Sequence, residues 1–405
     1  MVTTGNARLK AARIAAGYPS QQALADALGV GVRQVRRWES EAPPWPHAEQ
    51  GQALTRVLGQ DLEALGFTRP TGTSADRGPR TVLAATAVGL ATVPKQAATL
   101  QPATAADDYE AVTRSHRRLY WSVAPATLHP AAIAHATLGC AMLTEMAGQT
   151  KARTAAALAE TWLLSGRIEF FDLRDADRAQ QTLLRALQAA GEADDPLLGS
   201  AVLAHTAFIP AWEGERDLAV ERMVAARTYA RRGPASTELL AWLDAVEAEC
   251  ETRCGNTRTA LHLIGHAEDV LARDSEHQSP EWLDWFSPVR LAAFKGNTQL
   301  RAGHLPQARA TLLEVLQTLD SSDEKQTTVV LGDLAAVEAA AGDPDAACRY
   351  AVRALDQLER TWYAMGMDRV REVRRALAPH QHERCVRELD DQLYGWSTTV
   401  SALAR

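Results

Sequence analysis

The sequence predicts an all-α protein, a small helical head joined to a long stack of helical hairpins. Three observations carry that expectation. Alanine and leucine are abundant while aromatic residues make up only 6% of the chain, a balance that favours helices. The first 58 residues break into short periodic segments separated by glycine and proline. Further on, a Gly–Ala–Ala spacing returns about every 40 residues, as in a repeated supersecondary unit.

At 405 residues the chain is longer than one typical domain, and 46% hydrophobic with 23% charged residues is the balance of a folded globular protein. Its five cysteines (Cys140, Cys250, Cys254, Cys348, Cys385) include no CxxC pair, so neither a disulfide framework nor a structural zinc site is expected and a reducing compartment fits. No apolar run reaches the roughly 18 residues of a membrane span, and the start is not of secretory type, so a cytoplasmic location is expected. The net charge of −7 conceals a split, with residues 1–40 at +4 and the remainder at −11. A cationic head on an acidic body points to a nucleic-acid-binding end.

In the head, residues 5–16, 20–28, 31–40 and 46–58 read as short helices, separated by Gly17-Tyr18-Pro19, Gly29-Val30 and Ala42-Pro43-Pro44. Ser20 is placed to cap the second helix through its hydroxyl. At helical spacing Leu24, Leu28, Val35 and Trp38 face inward while Arg33, Arg36 and Arg37 face outward, giving the third helix a cationic face. Ala25 has to be small where the helices cross, Gly29 supplies the positive backbone angle of a tight turn, and Val35 fills the space between them. Alanine, glycine four residues on and a β-branched residue six further on make a helix-turn-helix pattern.

The segment LKAARIAAGYPSQQALADALGVGVRQVRRWES resembles the Xre, or lambda-repressor-like, family of DNA-binding domains, whose pattern ends, as here, in an aromatic or aliphatic residue followed by glutamate, Trp38-Glu39. The resemblance covers about the first 66 residues. It implies that Gln21 bonds a DNA backbone phosphate and that Val32, Arg33, Arg36 and Arg37 stand where the family reads base edges in the major groove. Arg33 and Arg37 are suited to bidentate bonds with guanine, and Arg36 to a base or a phosphate. Ser20, Gly31 and Gln34 complete the implied DNA-binding set, and Arg13 with Glu39 resembles the family's structural pair between the first and third helices. Two departures stand out. The Gly17-Tyr18-Pro19-Ser20 connection is one residue longer than usual, and Gly31 replaces a frequent serine or threonine cap.

The expected domains are residues 1–66, a linker at 67–107 and a repeat domain at 108–405. Within the linker, residues 81–94 form an uncharged apolar run after Arg77 and Arg80, too short to cross a bilayer and read as a short helix against the next domain or a dimer partner. The body repeats Gly214–Ala219–Ala226, Gly255–Ala260–Ala267 and Gly342–Ala347–Ala354, with variants Gly303–Ala308–Val315 and Arg174–Ala179–Ala186. Glycine ends one helix in a left-handed turn, Asp217, Pro306 or Pro344 opens the next, and small residues two turns apart let that helix pack closely. Asp172, Asp175 and Asp177 are expected to cap the helix that follows them. The pattern resembles tetratricopeptide-type repeats, of whose first-helix pattern Trp162 and Gly166 survive, while Ser165 and Glu169 fill the other two slots. The fold expected is thus a small helix-turn-helix domain joined to an α-solenoid of tetratricopeptide-like hairpins.

Such a solenoid offers a concave groove for a peptide or partner. Trp212, Trp242, Trp282, Trp285 and Trp362 either grip an apolar ligand there or pack the hairpin interior. With Asn256 and Asn297 the only asparagines of the body, an asparagine-clamped peptide is not expected. His262 and His266 lack the glutamate of HExxH, Cys250 and Cys254 read as core thiols, and His380, His382 and Cys385 lack the spacing of a known site. Phosphate-cradling and nucleophile-elbow motifs are missing as well, so no metal, cofactor or enzymatic activity is expected. The combined expectation is a cytoplasmic, nucleoid-associated transcriptional regulator. It binds an operator in double-stranded DNA as a homodimer, and its repeats dimerise and sense a peptide, small molecule or partner protein, with no membrane involved. The alternative is an adaptor whose repeats bind a partner protein and whose head does not bind DNA.

Overall fold

The computed structural model describes residues 6–67 and 101–403, apart from positions 41, 42, 47, 59, 63, 103, 321 and 322. The apolar run at 81–94 lies outside the described residues. Among those described, every regular element is helical. The chain divides into two compact units, Met1–Ala91 and Thr92–Arg405.

The first unit holds α1 (Ala7–Ala15), α2 (Gln21–Leu28), α3 (Val32–Trp38) and α4 (Ala48–Leu58). Leu9, Leu24, Ala25, Val35, Trp38 and Leu54 are buried together, so the inward face drawn from helical spacing is the core. The Ser20 hydroxyl accepts the Ala23 amide at 3.0 Å. Gly29, at φ +65°, ends α2 in the left-handed conformation that leaves room for the tight turn into α3. An unforeseen tie is Asn6, whose amide donates to the carbonyls of Trp38 (3.2 Å) and Leu65 (3.0 Å) while its oxygen accepts the Leu9 amide.

The second unit opens with α5 (Thr104–Leu119) and α6 (Pro125–Leu143), then continues with α7 (Gly148–Arg167), a π-helical turn at Ile168–Asp172 and α8 (Ala176–Glu192). Four more hairpins follow: α9 (Pro196–Glu213) with α10 (Arg216–Ala230), α11 (Thr237–Arg253) with α12 (Thr257–Leu271), α13 (Pro288–Arg301) with α14 (Leu305–Thr318), and α15 (Glu324–Ala341) with α16 (Pro344–Arg360). The unit ends with α17 (Ala364–Ala376) and α18 (Arg384–Leu403). The first helix of each hairpin packs on the first helix of the next, making one continuous inner row from α7 to α17.

All ten seam positions of the repeat, nine alanines and Val315, lie on second helices and are buried, from Ala179 and Ala186 on α8 to Ala347 and Ala354 on α16. Gly214 and Gly342 both turn at φ +81°. Where the first repeat lacks its glycine, Arg174 itself adopts φ +60°. Of the three aspartates read as caps, Asp175 does cap α8, accepting the Arg178 amide at 3.0 Å. Asp172 instead lies buried in the π turn and pairs with Lys325 at 3.2 Å, because the inner row bends far enough to bring α15 and α17 back to the end of α7. Arg174 and Asp368 form a second bridge across the same closure.

Candidate nucleic-acid interface and ligand cavity

On α3 the buried pair Val35 and Trp38 turns the opposite face outward, and Arg33, Arg36 and Arg37 are all exposed on it. Val32 and Gln34 are half-buried beside them, while Gly31 and Ser20 are exposed at the starts of α3 and α2. Glu39 gathers the base of this face. It accepts Arg13 Nε at 2.7 Å and the Gln21 amide at 2.6 Å. Arg13 also donates to the Tyr18 carbonyl at 2.8 Å, so the longer Gly17–Ser20 connection is anchored from α1. Gln21, expected to meet a phosphate, thus spends one amide hydrogen on Glu39 and keeps the other.

The inner row of the second unit encloses a cavity of about 910 Å³, its open mouth included. Phe171 comes from the π turn, His205, Phe208 and Trp212 from α9, Trp242 and Glu249 from α11, and Phe294 and Asn297 from α13. Tyr120 and Trp121 enter from the segment after α5, Trp285 from just before α13, and Tyr363 and Arg369 from the α17 end. Trp212, Trp242 and Trp285 are therefore brought together. Trp282 and Trp362 lie elsewhere: the first lines a small recess with Leu163, Leu164 and Arg167, and the second pairs with Trp396 at 5.7 Å against α18.

Four cations reach the cavity wall. Lys325 is 1% exposed, with Nζ 3.6 Å from the centre of the Tyr120 ring, and burial pushes its ammonium down to about 8 even with Asp172 beside it. Arg290 is held by Asp323 and Gln326, each at 2.6 Å. Arg369 lies 3.0 Å from Asp333, which also accepts the Asn297 amide at 3.0 Å. Arg167 differs. Its guanidinium lies 5.0 Å from the Tyr120 centroid and 5.1 Å from that of Trp285, and its buried Nε has no acceptor. His205 faces the same space. Its Nδ1 lies 2.8 Å from the Ala201 carbonyl and so carries the proton, and burial lowers its pKa to about 3, leaving a neutral ring with a lone pair on Nε2.

Sequence reasoning missed Trp121, Arg167, His205, Arg290, Lys325 and Arg369. The π turn that carries Phe171 and Asp172 inward left no periodic signal, although such irregular turns recur at functional sites. Among the described residues no cluster of three His, Cys, Asp or Glu has metal-site geometry, and no helix is long and apolar enough to cross a membrane. No protein-family model matches the chain, and no curated protein matches it significantly.

Proposed function

We propose that the protein is a sequence-specific DNA-binding transcriptional regulator, working in the cytoplasm as a homodimer whose helical-repeat unit senses a ligand. The observation that supports the DNA-binding half is the exposed Arg33–Arg36–Arg37 face on a helix held by the buried Val35 and Trp38 and by the left-handed turn at Gly29. A guanidinium on such a helix reads guanine through O6 and N7, and neighbouring arginines release counterions from phosphates. A head this small buries little surface. Two heads on symmetric half-sites double the contacts, which favours a dimer.

The test is selection of bound fragments from random duplex DNA, followed by mobility shifts on the recovered site. Arg33→Ala and Arg37→Ala are expected to weaken discrimination by about 1–3 kcal/mol each while leaving the circular dichroism spectrum unchanged. Recovery of no preferred sequence, or binding indifferent to salt, would overturn the proposal in favour of a protein-binding adaptor.

A further inference from the structure

We propose that the cavity of the second unit binds a planar aromatic carboxylate, its ring against Trp121, Trp242 and Trp285 and its carboxylate on Arg167. This deepens the sensing half of the function proposed above and rests on that reading only in treating the bound molecule as a signal. Binding itself depends on the cavity alone.

The charge pattern selects an anion. Lys325, Arg290 and Arg369 each have a carboxylate at 3.2, 2.6 and 3.0 Å, from Asp172, Asp323 and Asp333 respectively. Arg167 forms no ion pair within 4.0 Å among the described residues, which sets it apart from the other three cations, and its buried Nε lacks an acceptor. The half-buried Arg167 has ring faces beside it and the Asp172 charge only at longer range, so an incoming carboxylate gives it a direct partner with two oxygens in guanidinium geometry. The same pattern rejects a cationic ligand. Arg167, Arg290 and Lys325 already stand beside the rings of Trp285, Trp121 and Tyr120, so an incoming cation meets like charge.

The walls select a flat, mostly apolar body. Trp285 lies 6.1 Å from Trp121, tilted by 43°, and 6.2 Å from Trp242 at 87°, centroid to centroid, so the three indoles line adjoining walls against which a flat ring can stack or meet an edge. Opposed to Arg167 chemically is the neutral His205, whose Nε2 accepts a hydrogen bond, so a hydroxyl or ring N–H on the ligand gains a partner. An extended peptide fits poorly. The Lys325–Asp172 and Arg174–Asp368 bridges close the row on itself, and Asn297, the asparagine on this wall, is already bonded to Asp333. A concave wall that is mostly aromatic, with a few placed polar groups, suits a small molecule.

The experiment titrates the full chain by calorimetry, without DNA, using 2-naphthoate and its uncharged isostere 2-naphthamide. The acid is expected to bind about tenfold or more tighter than the amide, the worth of a charge-assisted hydrogen bond. Arg167→Met is expected to erase that advantage, and Arg167→Lys to keep part of it. Equal affinities, an advantage that survives Arg167→Met, or no binding of the acid at millimolar concentration would overturn the inference. The acid-to-amide ratio on the unaltered chain decides even where a variant fails to fold. Acid binding that leaves operator affinity unchanged upholds the inference and counts against the sensing role; operator binding without acid binding does the reverse.

Discussion

Glu39 answers two side chains at once, Arg13 and Gln21, and it does so almost out of water: the Arg13 and Glu39 side chains are 5% and 7% exposed. Removing one partner strands the other, so Glu39→Ala is expected to destabilise the head by about 3–5 kcal/mol. Hydrogen exchange will show it as faster exchange in α1 and α3, with α7–α16 unaffected. Lys325 makes the same argument in the body. Lys325→Met removes the ion-pair partner of Asp172 and leaves it only Tyr120 and the more distant Arg167, so it is expected to destabilise, and Lys325→Met together with Asp172→Leu is expected to recover much of that loss, read by urea denaturation. Folding lowers the proton affinity of Lys325 from the ordinary 10.5 to about 8. Between these values the unfolded chain keeps a proton that the folded chain has released. The stability of the parent relative to Lys325→Met therefore rises with pH from about 8 to 10.5 and is lost as pH falls through about 8, which denaturation on either side of that window checks. The Arg13–Glu39 pair was legible in the sequence because its spacing belongs to a motif. Arg167 and Lys325 were not, since a lone basic residue on an amphipathic helix reads as facing solvent until distant helices are known to cover it.

Elements of the body obey rules that are local, and that is why they could be read. A hairpin needs a left-handed residue at its turn and small residues along its seam, and both requirements sit within one repeat. Gly342, at φ +81°, carries the first requirement, and Gly342→Ala is expected to cost about 1–2 kcal/mol. Ala226 carries the second: it is fully buried on α10, and Ala226→Leu is expected to cost about 1–3 kcal/mol by overpacking. Gly265, on α12, has open space around it and an ordinary helical backbone, so Gly265→Ala is expected to stabilise by about 0.4–1 kcal/mol. Thermal melting is expected to place Gly265→Ala above the parent and both Gly342→Ala and Ala226→Leu below it. The π turn and the α5–α6 pair escaped notice for the opposite reason: neither repeats, and Asp172 becomes a buried ion-pair partner only through α15, 153 residues away in sequence. Gln21 shows the same limit in the head, where its bond to Glu39 follows from the third dimension and not from its place at the start of α2.

For the whole molecule, the proposed DNA binding predicts a salt response carried by the +4 of residues 1–40 against the −11 of the remainder. Log affinity for duplex DNA is expected to fall linearly with log salt, and Arg36→Ala to reduce that slope by about one if Arg36 rests on a phosphate, measured by mobility shift across a salt series. The charge asymmetry was visible from composition, whereas the cavity was not, because its walls are contributed by residues from Tyr120 to Arg369. A linear array of repeats melts from its tips inward, each layer leaning only on its neighbours. Here Asp368 is fastened to Arg174 and Lys325 to Asp172, so the final layers lean on the opening ones as well. Fraying at the carboxyl end then loosens the start of the array in the same event, and the hoop comes apart in one step or not at all.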